Sequence, residues 1–291
     1  ADSLIRERND ARPGDPLAPL AEAARLQAEM FAREERFAEE RMHSLLDSAA
    51  ALLNRRLTLA AHAADSARIL YFIGVCQTHT ALWESKWGSL FSAVKEGFHA
   101  RDNFTAGLAL DSSFAELKLG LGAYQYWKSA KGGGLLRSVG LINDQRLQGV
   151  ALVRASVAEA TISPDAARSA LLWILLDLEA YTEAEGLARG LCAAYPDGAA
   201  FLWPLAECYR KSGDDRRALE TYLKLRAHLT RDPGNQINLI KVDFELAELA
   251  RQLDDHETLA LVENSFDEYS QDTPRQTRRK LAAKYRALKR L

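Results

Sequence analysis

The scarce residues of this 291-residue chain set its first bounds. Cysteine occurs three times, as Cys76, Cys192 and Cys208. So small and odd a set is no disulfide framework, and without a Cys-x-x-Cys pair it is no zinc site of ordinary spacing. The three read as small buried apolar residues. A Cys192–Cys208 bridge stays open, because neighbouring helices can bring the two together. Glycine, at 17, and proline, at 8, are few, while alanine and leucine dominate. That composition favours helices and disfavours a β-sandwich. No uninterrupted run of 18 apolar residues occurs, so no membrane span is expected. Charge of one sign is also lacking. Lys and Arg number 38 against 40 Asp and Glu, a net −2, which speaks against a uniformly basic nucleic-acid binder.

Catalytic signatures are missing too. The six histidines (His43, His62, His79, His99, His228 and His256) form no His-x-x-x-His or His-Glu-x-x-His pattern. There is no Gly-x-Ser-x-Gly elbow and no Cys–His or Ser–His spacing that supports a nucleophile. Lys131-Gly132-Gly133-Gly134 has the lysine ahead of the glycines and follows no strand, so it reads as a turn rather than a phosphate cradle. A mobile binding loop is the other reading of it. The expectation is a protein that is not an enzyme and needs no cofactor and no metal.

Hydrophobic residues make up 47% and charged residues 27% of the chain, enough for a sizeable core. Residues 1–19, with Pro13, Gly14, Pro16 and Pro19, predict an irregular lead-in. From Leu20 to Leu53, Leu26, Met30, Phe31, Phe37, Met42, Leu45 and Leu46 fall at helical spacing. Two helices meeting near Glu34–Arg36 fit that length better than one. Further helices are predicted over Ala64–Glu84, Ser89–Ala109, Phe114–Ser129 and Asn143–Ala160. Asp111-Ser112-Ser113 and Ser163-Pro164-Asp165 serve as start signals. No convincing alternating strand is present.

An offset of 34 residues superposes the segment 165–198 on 199–232. Leu171 then aligns with Leu205, Leu175 with Tyr209, Ala184 with Ala218, Ala188 with Tyr222 and Leu191 with Leu225. Leu205, Ala206, Tyr209, Gly213, Ala218 and Tyr222, with Ala184, Leu191 and Pro196 in the earlier copy, resemble the order of a tetratricopeptide repeat. Leu121-Gly122 and Ile73-Gly74 extend a weaker likeness over 67–164. Gly149 there stands where that family has alanine. The resemblance implies an all-α, right-handed α-solenoid of helix-turn-helix units over 20–273, stacked because neither helix of a unit can bury its apolar stripe alone. It also implies a concave face lined by the first helix of each unit. The positions it places there are Tyr71, Thr78, His79, Tyr126, Trp127, Trp173, Asp177, Trp203, Glu207, Arg210 and Lys211. Three of the five tryptophans are among them. Trp and Tyr suit the binding of a partner protein or extended peptide, although aromatics at helical spacing equally serve as core. Trp83 and Trp87, four apart, predict a shared face packed on the helix after Ser89.

Residues 274–291 stand apart. Eight of them are Lys or Arg and none is acidic, so this piece carries +8 and the remaining 273 residues carry −10. Leu281, Tyr285, Leu288 and Leu291 fall on one helical stripe. Such a helix caps the acidic body or, alternatively, lies on an anionic membrane or nucleic acid. The chain starts Ala-Asp-Ser without Met, a start that cleavage after a small residue would leave. The expectation from it is an exported or periplasmic protein, with the cytoplasm as the alternative.

Overall fold

A computed structural model of the chain describes residues 14–131, 143–196, 198–271 and 273–290. These residues hold fourteen α-helices and no strand. The glycines of 131–134 and Leu291 lie outside the described residues. The fold is all-α. Two compact units divide the chain: Ala1–Met30 with Arg36–Leu171, and Phe31–Glu35 with Leu172–Leu291.

The first unit contains α1 (Leu17–Arg33) up to Met30, its last three residues belonging to the second unit, and then α2 (Glu39–Leu59), α3 (Ala63–Trp87), α4 (Leu90–Leu110), α5 (Ala115–Lys131) and α6 (Arg146–Glu159). The lead-in ends sooner than the prolines suggest. Pro19 sits in the first turn of α1, where its missing N–H costs nothing, and the Asp15 carboxylate accepts from Leu17 N at 3.2 Å. The break between α1 and α2 falls where expected, with Glu34 in the left-handed region at φ 55°. On α2 the buried residues are Met42, Leu46, Ala49 and Leu53, a stripe at helical period. Helices α3, α4 and α5 pack in sequence around Ala67, Tyr71, Ala100, Phe104 and Leu117. Helices α5 and α6 approach closely at Gly122 and Gly149. A Cβ added to either would lie 2.7 or 2.6 Å from the other's carbonyl oxygen. Gly149 replaces the expected alanine because the two backbones leave no room for a methyl group.

Helix α7 (Pro164–Asp177) starts at the predicted Ser163-Pro164 signal. The second unit continues through α8 (Tyr181–Ala194), α9 (Leu202–Lys211), α10 (Asp215–Leu229), α11 (Gln236–Leu253) and α12 (His256–Ser270). It ends with α13 (Arg275–Lys280) and α14 (Ala282–Leu288). Helices α8 to α12 pack each on the next. All ten residues paired by the 34-residue offset are buried.

The connections repeat as well. Glu179 at φ 59° and Gly213 at φ 77° lie one period apart. At each, the following amide donates five residues back, Ala180 N to Leu175 O and Asp214 N to Tyr209 O, both at 2.9 Å. Glu179 N also donates to Leu176 O and Gly213 N to Arg210 O. This paired pattern closes a helix on its own last carbonyls. A third turn, at Asp254 with φ 58°, has Asp255 N donating to Ala250 O at 2.8 Å. The next helices start on side-chain caps: Asp214 accepts from Arg217 N and Asp255 from Thr258 N.

The basic tail corrects its expectation as one continuous helix. Leu281 leaves helical geometry at φ −109°, ψ 30°, and α13 and α14 meet there. Helix α14 packs on α11 and α12. Leu288 is buried, the Tyr285 hydroxyl donates to Ser270 O at 3.2 Å, and its ring meets Phe266 at 4.9 Å.

Candidate partner-binding site

Six of the candidate residues lie in the second unit, on α7 and α9. In α7, Leu171, Leu172, Ile174 and Leu175 are at most 3% exposed, while Trp173 among them is 45% exposed. Asp177, one turn on, is exposed. Two apolar residues absent from the sequence reading share this exposure: Leu178 at 42%, just beyond α7, and Tyr195, at the end of α8. Exposed apolar residues carry no local signature distinguishing them from core, so only the packing reveals them.

On α9, Trp203 is half-buried and stands edge-on to Tyr222, with ring centroids 6.2 Å apart. The Tyr222 hydroxyl donates to Glu207 Oε2 at 3.4 Å, and Lys211 Nζ lies 3.8 Å from Glu207 Oε1. Arg210 is committed internally, to Glu245 on α11. Glu245 also receives Lys284 of α14 at 2.6 Å. The α9 residues therefore combine one aromatic edge with charges that are partly engaged.

The candidates of the first unit fare differently. Tyr71 and Tyr126 are 5% and 0% exposed. Tyr71 meets Phe72 and Phe114 edge-on, at 5.0 and 5.6 Å between ring centroids. Tyr126 lies beside the Gly122–Gly149 approach. These two are core residues, since a buried ring offers a partner no contact area. The aligned positions alone could not separate them from Trp173, because the repeat's first helix is apolar on more than one side. Trp127 is half-buried, perpendicular to Tyr126 at 5.1 Å, with Lys131 Nζ 5.4 Å from its ring centre. Thr78 donates to the Gly74 carbonyl. His79 pairs with Gln27 of α1. Its Nδ1–H donates to Gln27 Oε1, and Gln27 Nε2 donates to the His79 carbonyl at 2.7 Å. Burial pushes the imidazole down to about 4, so it is neutral at ordinary pH.

Trp83 and Trp87 do share a face, at 4.4 Å between centroids. Trp83, however, is buried against His43 of α2, at 5.5 Å. The three cysteines are free. Burial pushes Cys76 up to about 12 and Cys208 up to about 11, which keeps both thiols protonated and poorly nucleophilic. Among the described residues no group of three or more His, Cys, Asp or Glu could hold a metal ion, and no helix is long and apolar enough to cross a membrane.

No family model matches the chain, and no curated protein matches it. Among solved structures it is similar to the crystal structure of yeast Tom70, at 13% identity and a TM-score of 0.36. That match covers 91% of this chain and 63% of the other, so the chain spans less than two-thirds of the Tom70 structure's length.

Proposed function

We propose that this protein is a helical-repeat adaptor without catalytic chemistry of its own. On this reading it holds a partner protein or peptide against the inner face of its repeat pairs, on the water-facing sides of α7 and α9. The observation that carries the reading is Trp173, nearly half exposed on a helix whose neighbouring positions are all buried. A large rigid aromatic held in place by its own helix loses little entropy on binding, and Trp is prominent among residues that dominate interface energies. Trp203, Glu207 and Lys211 supply an aromatic edge and a pair of opposite charges on α9. Tyr71 and Tyr126 have no part in this surface.

The test is capture of partners from the native host, followed by titration of whichever protein is retained. Trp173→Ala is expected to weaken that affinity at least tenfold, about 1.4 kcal/mol or more, with an unchanged melting temperature. Trp203→Ala is expected to weaken binding and also to cost roughly 1–3 kcal/mol of stability, because its ring covers Tyr222. Undiminished binding by the Trp173→Ala chain, or a melting temperature far below wild type, would reject the assignment.

One observation favours a second reading. Arg275, Arg278, Arg279, Arg286, Lys289 and Arg290 are exposed and make no ion pair among the described residues. Because Tyr285 and Leu288 are spent on the body, the tail would adhere to an anionic surface through charge rather than by inserting these two side chains. Retention on phosphatidylserine vesicles that disappears with added salt, and on Arg275→Glu/Arg278→Glu/Arg279→Glu substitution, supports this reading. Salt-insensitive retention counts against it.

A further inference from the structure

The 34-residue recurrence runs on past the two segments that display it most clearly. Three-residue 3-10 turns, Ala199–Phe201 and Pro233–Asn235, precede α9 and α11, and the two helices start 34 residues apart, at Leu202 and Gln236. Their inward sides agree. Leu205, Ala206, Cys208 and Tyr209 on α9 are buried, and so are Leu239, Ile240, Val242 and Asp243 on α11. One further step of the offset therefore carries the candidate positions onto α11. Trp203 falls on Ile237, Glu207 on Lys241, Arg210 on Phe244 and Lys211 on Glu245.

On α7 and α9 this row holds Trp173 and Lys211 open to water. On α11 the chain's own residues cover it. Lys241 pairs with Glu34, which also holds Lys280 of α13. Lys284 of α14 places its Nζ 3.9 Å from the Phe244 ring centre and donates to Glu245 Oε1 at 2.6 Å. Next to it the Tyr285 ring stands edge-on to Phe266 of α12, and one turn on Leu288 is buried. The tail thus fills a seat on α11 and α12 with a cation, a ring and an aliphatic side chain at 284, 285 and 288.

The hold on this segment is slight. Helices α13 and α14 are six and seven residues long, too short to be stable alone. Among the described residues of 274–290 only Leu288 is buried. Lys280 and Lys284 stay partly exposed, where ion pairs are weak and salt-screened. A short tether nonetheless presents the tail at an effective concentration of about millimolar, so a weak fit keeps the seat filled. The −10 charge of residues 1–273 favours a basic occupant. We infer that the α11–α12 seat is a docking site for a basic amphipathic helix of a partner protein, and that the tail holds it as an internal competitor until that helix displaces it. The inference rests on the reading of α7 and α9 as partner-facing helices, and adds the partner's chemistry and the regulation of the same face.

The test uses the full chain and a fluorescent synthetic peptide with the sequence of residues 274–291, beside a scrambled peptide of the same composition. In fluorescence anisotropy the Tyr285→Ala/Leu288→Ala chain should bind the peptide at least roughly tenfold more tightly than wild type, because its own tail no longer competes. Lys284→Glu sets like charges against each other at Glu245 and keeps the apolar contacts. It should raise peptide affinity in the same direction. The scrambled peptide should bind neither variant more tightly than it binds wild type. A measurement on wild type needs no substitution: excess peptide should speed hydrogen exchange of the amides of 282–288. Equal peptide affinity in wild type and both variants, equal binding of the scrambled peptide, or exchange that ignores the peptide overturns the inference. A chain whose binding of the host partner ignores Trp173→Ala, and whose peptide affinity still rises on tail release, rejects the Trp173 surface and keeps the seat.

Discussion

At the scale of single residues, the buried polar groups tie helices together that the apolar pattern would merely bring near each other. Asp243, fully buried on α11, accepts from Arg226 Nε of α10 at 2.7 Å and from the Tyr269 hydroxyl of α12 at 2.9 Å. Burial pushes its carboxyl upward, while Arg226 and Tyr269 pull the other way. Three helices of the second unit thus meet on one carboxylate. His79 offers a cleaner measurement. It titrates near 4 in the folded chain against 6.5 for an unburied imidazole. Between those values the unfolded chain binds a proton that the folded chain refuses. Stability is therefore full above about pH 6.5 and falls as pH drops towards 4, by up to about 3 kcal/mol. Urea unfolding at pH 7 and pH 4.5 should show the loss, and His79→Asn should reduce the difference between the two. An equal difference in wild type and variant would mean that other groups carry it.

At the scale of helices, local chemistry explains where elements begin and end, and packing explains why particular small residues are needed. The α1–α2 break and the Ser163-Pro164 start follow from short-range rules and were legible before any fold was known, and the Asp214 and Asp255 caps obey the same rules. Glycine was not legible in that way. Gly149→Ala is expected to cost about 1–3 kcal/mol, because the added methyl meets the Gly122 carbonyl and the Tyr126 backbone. Gly186→Ala is the matched control. Nothing lies within 4 Å of the methyl it would add in α8, so it should stabilise by about 0.4–1 kcal/mol. Thermal melts of the two variants should move in opposite directions. The tail is an element-scale lesson of the opposite kind. Its periodicity fits one helix, yet the chain leaves helical geometry at Leu281 and its last helix packs on α11 and α12.

At the scale of the molecule, the second unit is secured by residues from both ends of the sequence. Asn238 of α11 donates to the Ala32 carbonyl, Arg33 pairs with Asp232 at 2.9 Å, and Glu34 pairs with both Lys241 and Lys280. Burial raises the Glu34 carboxyl, but the hydrogen bonds and charges of Lys241 and Lys280 outweigh it and hold the group at about 2. Its contribution is thus present above pH 4.5 and fades as pH falls towards 2. Glu34→Gln is expected to destabilise the chain by about 1–2 kcal/mol at low ionic strength and by less in high salt. Denaturant titration at two salt concentrations checks this. A salt-independent loss would point to the left-handed backbone at Glu34 rather than to its charge.

Composition, helical periodicity and capping residues were enough to establish an all-helical chain, its main breaks and the 34-residue recurrence. Each of these depends on atoms only a few residues apart, and the Glu179 and Gly213 turns express the period directly in the backbone. Which aromatic faces water was decided by the tertiary structure alone. Tyr71, Tyr126 and Trp173 occupy related places in the pattern, yet the neighbouring helices enclose the first two and leave the third open. The clasp at Glu34 and the docking of the tail were decided in the same way. Burial and charge pairing are properties of surfaces that meet across long stretches of sequence, and no local spacing encodes which surface will be met.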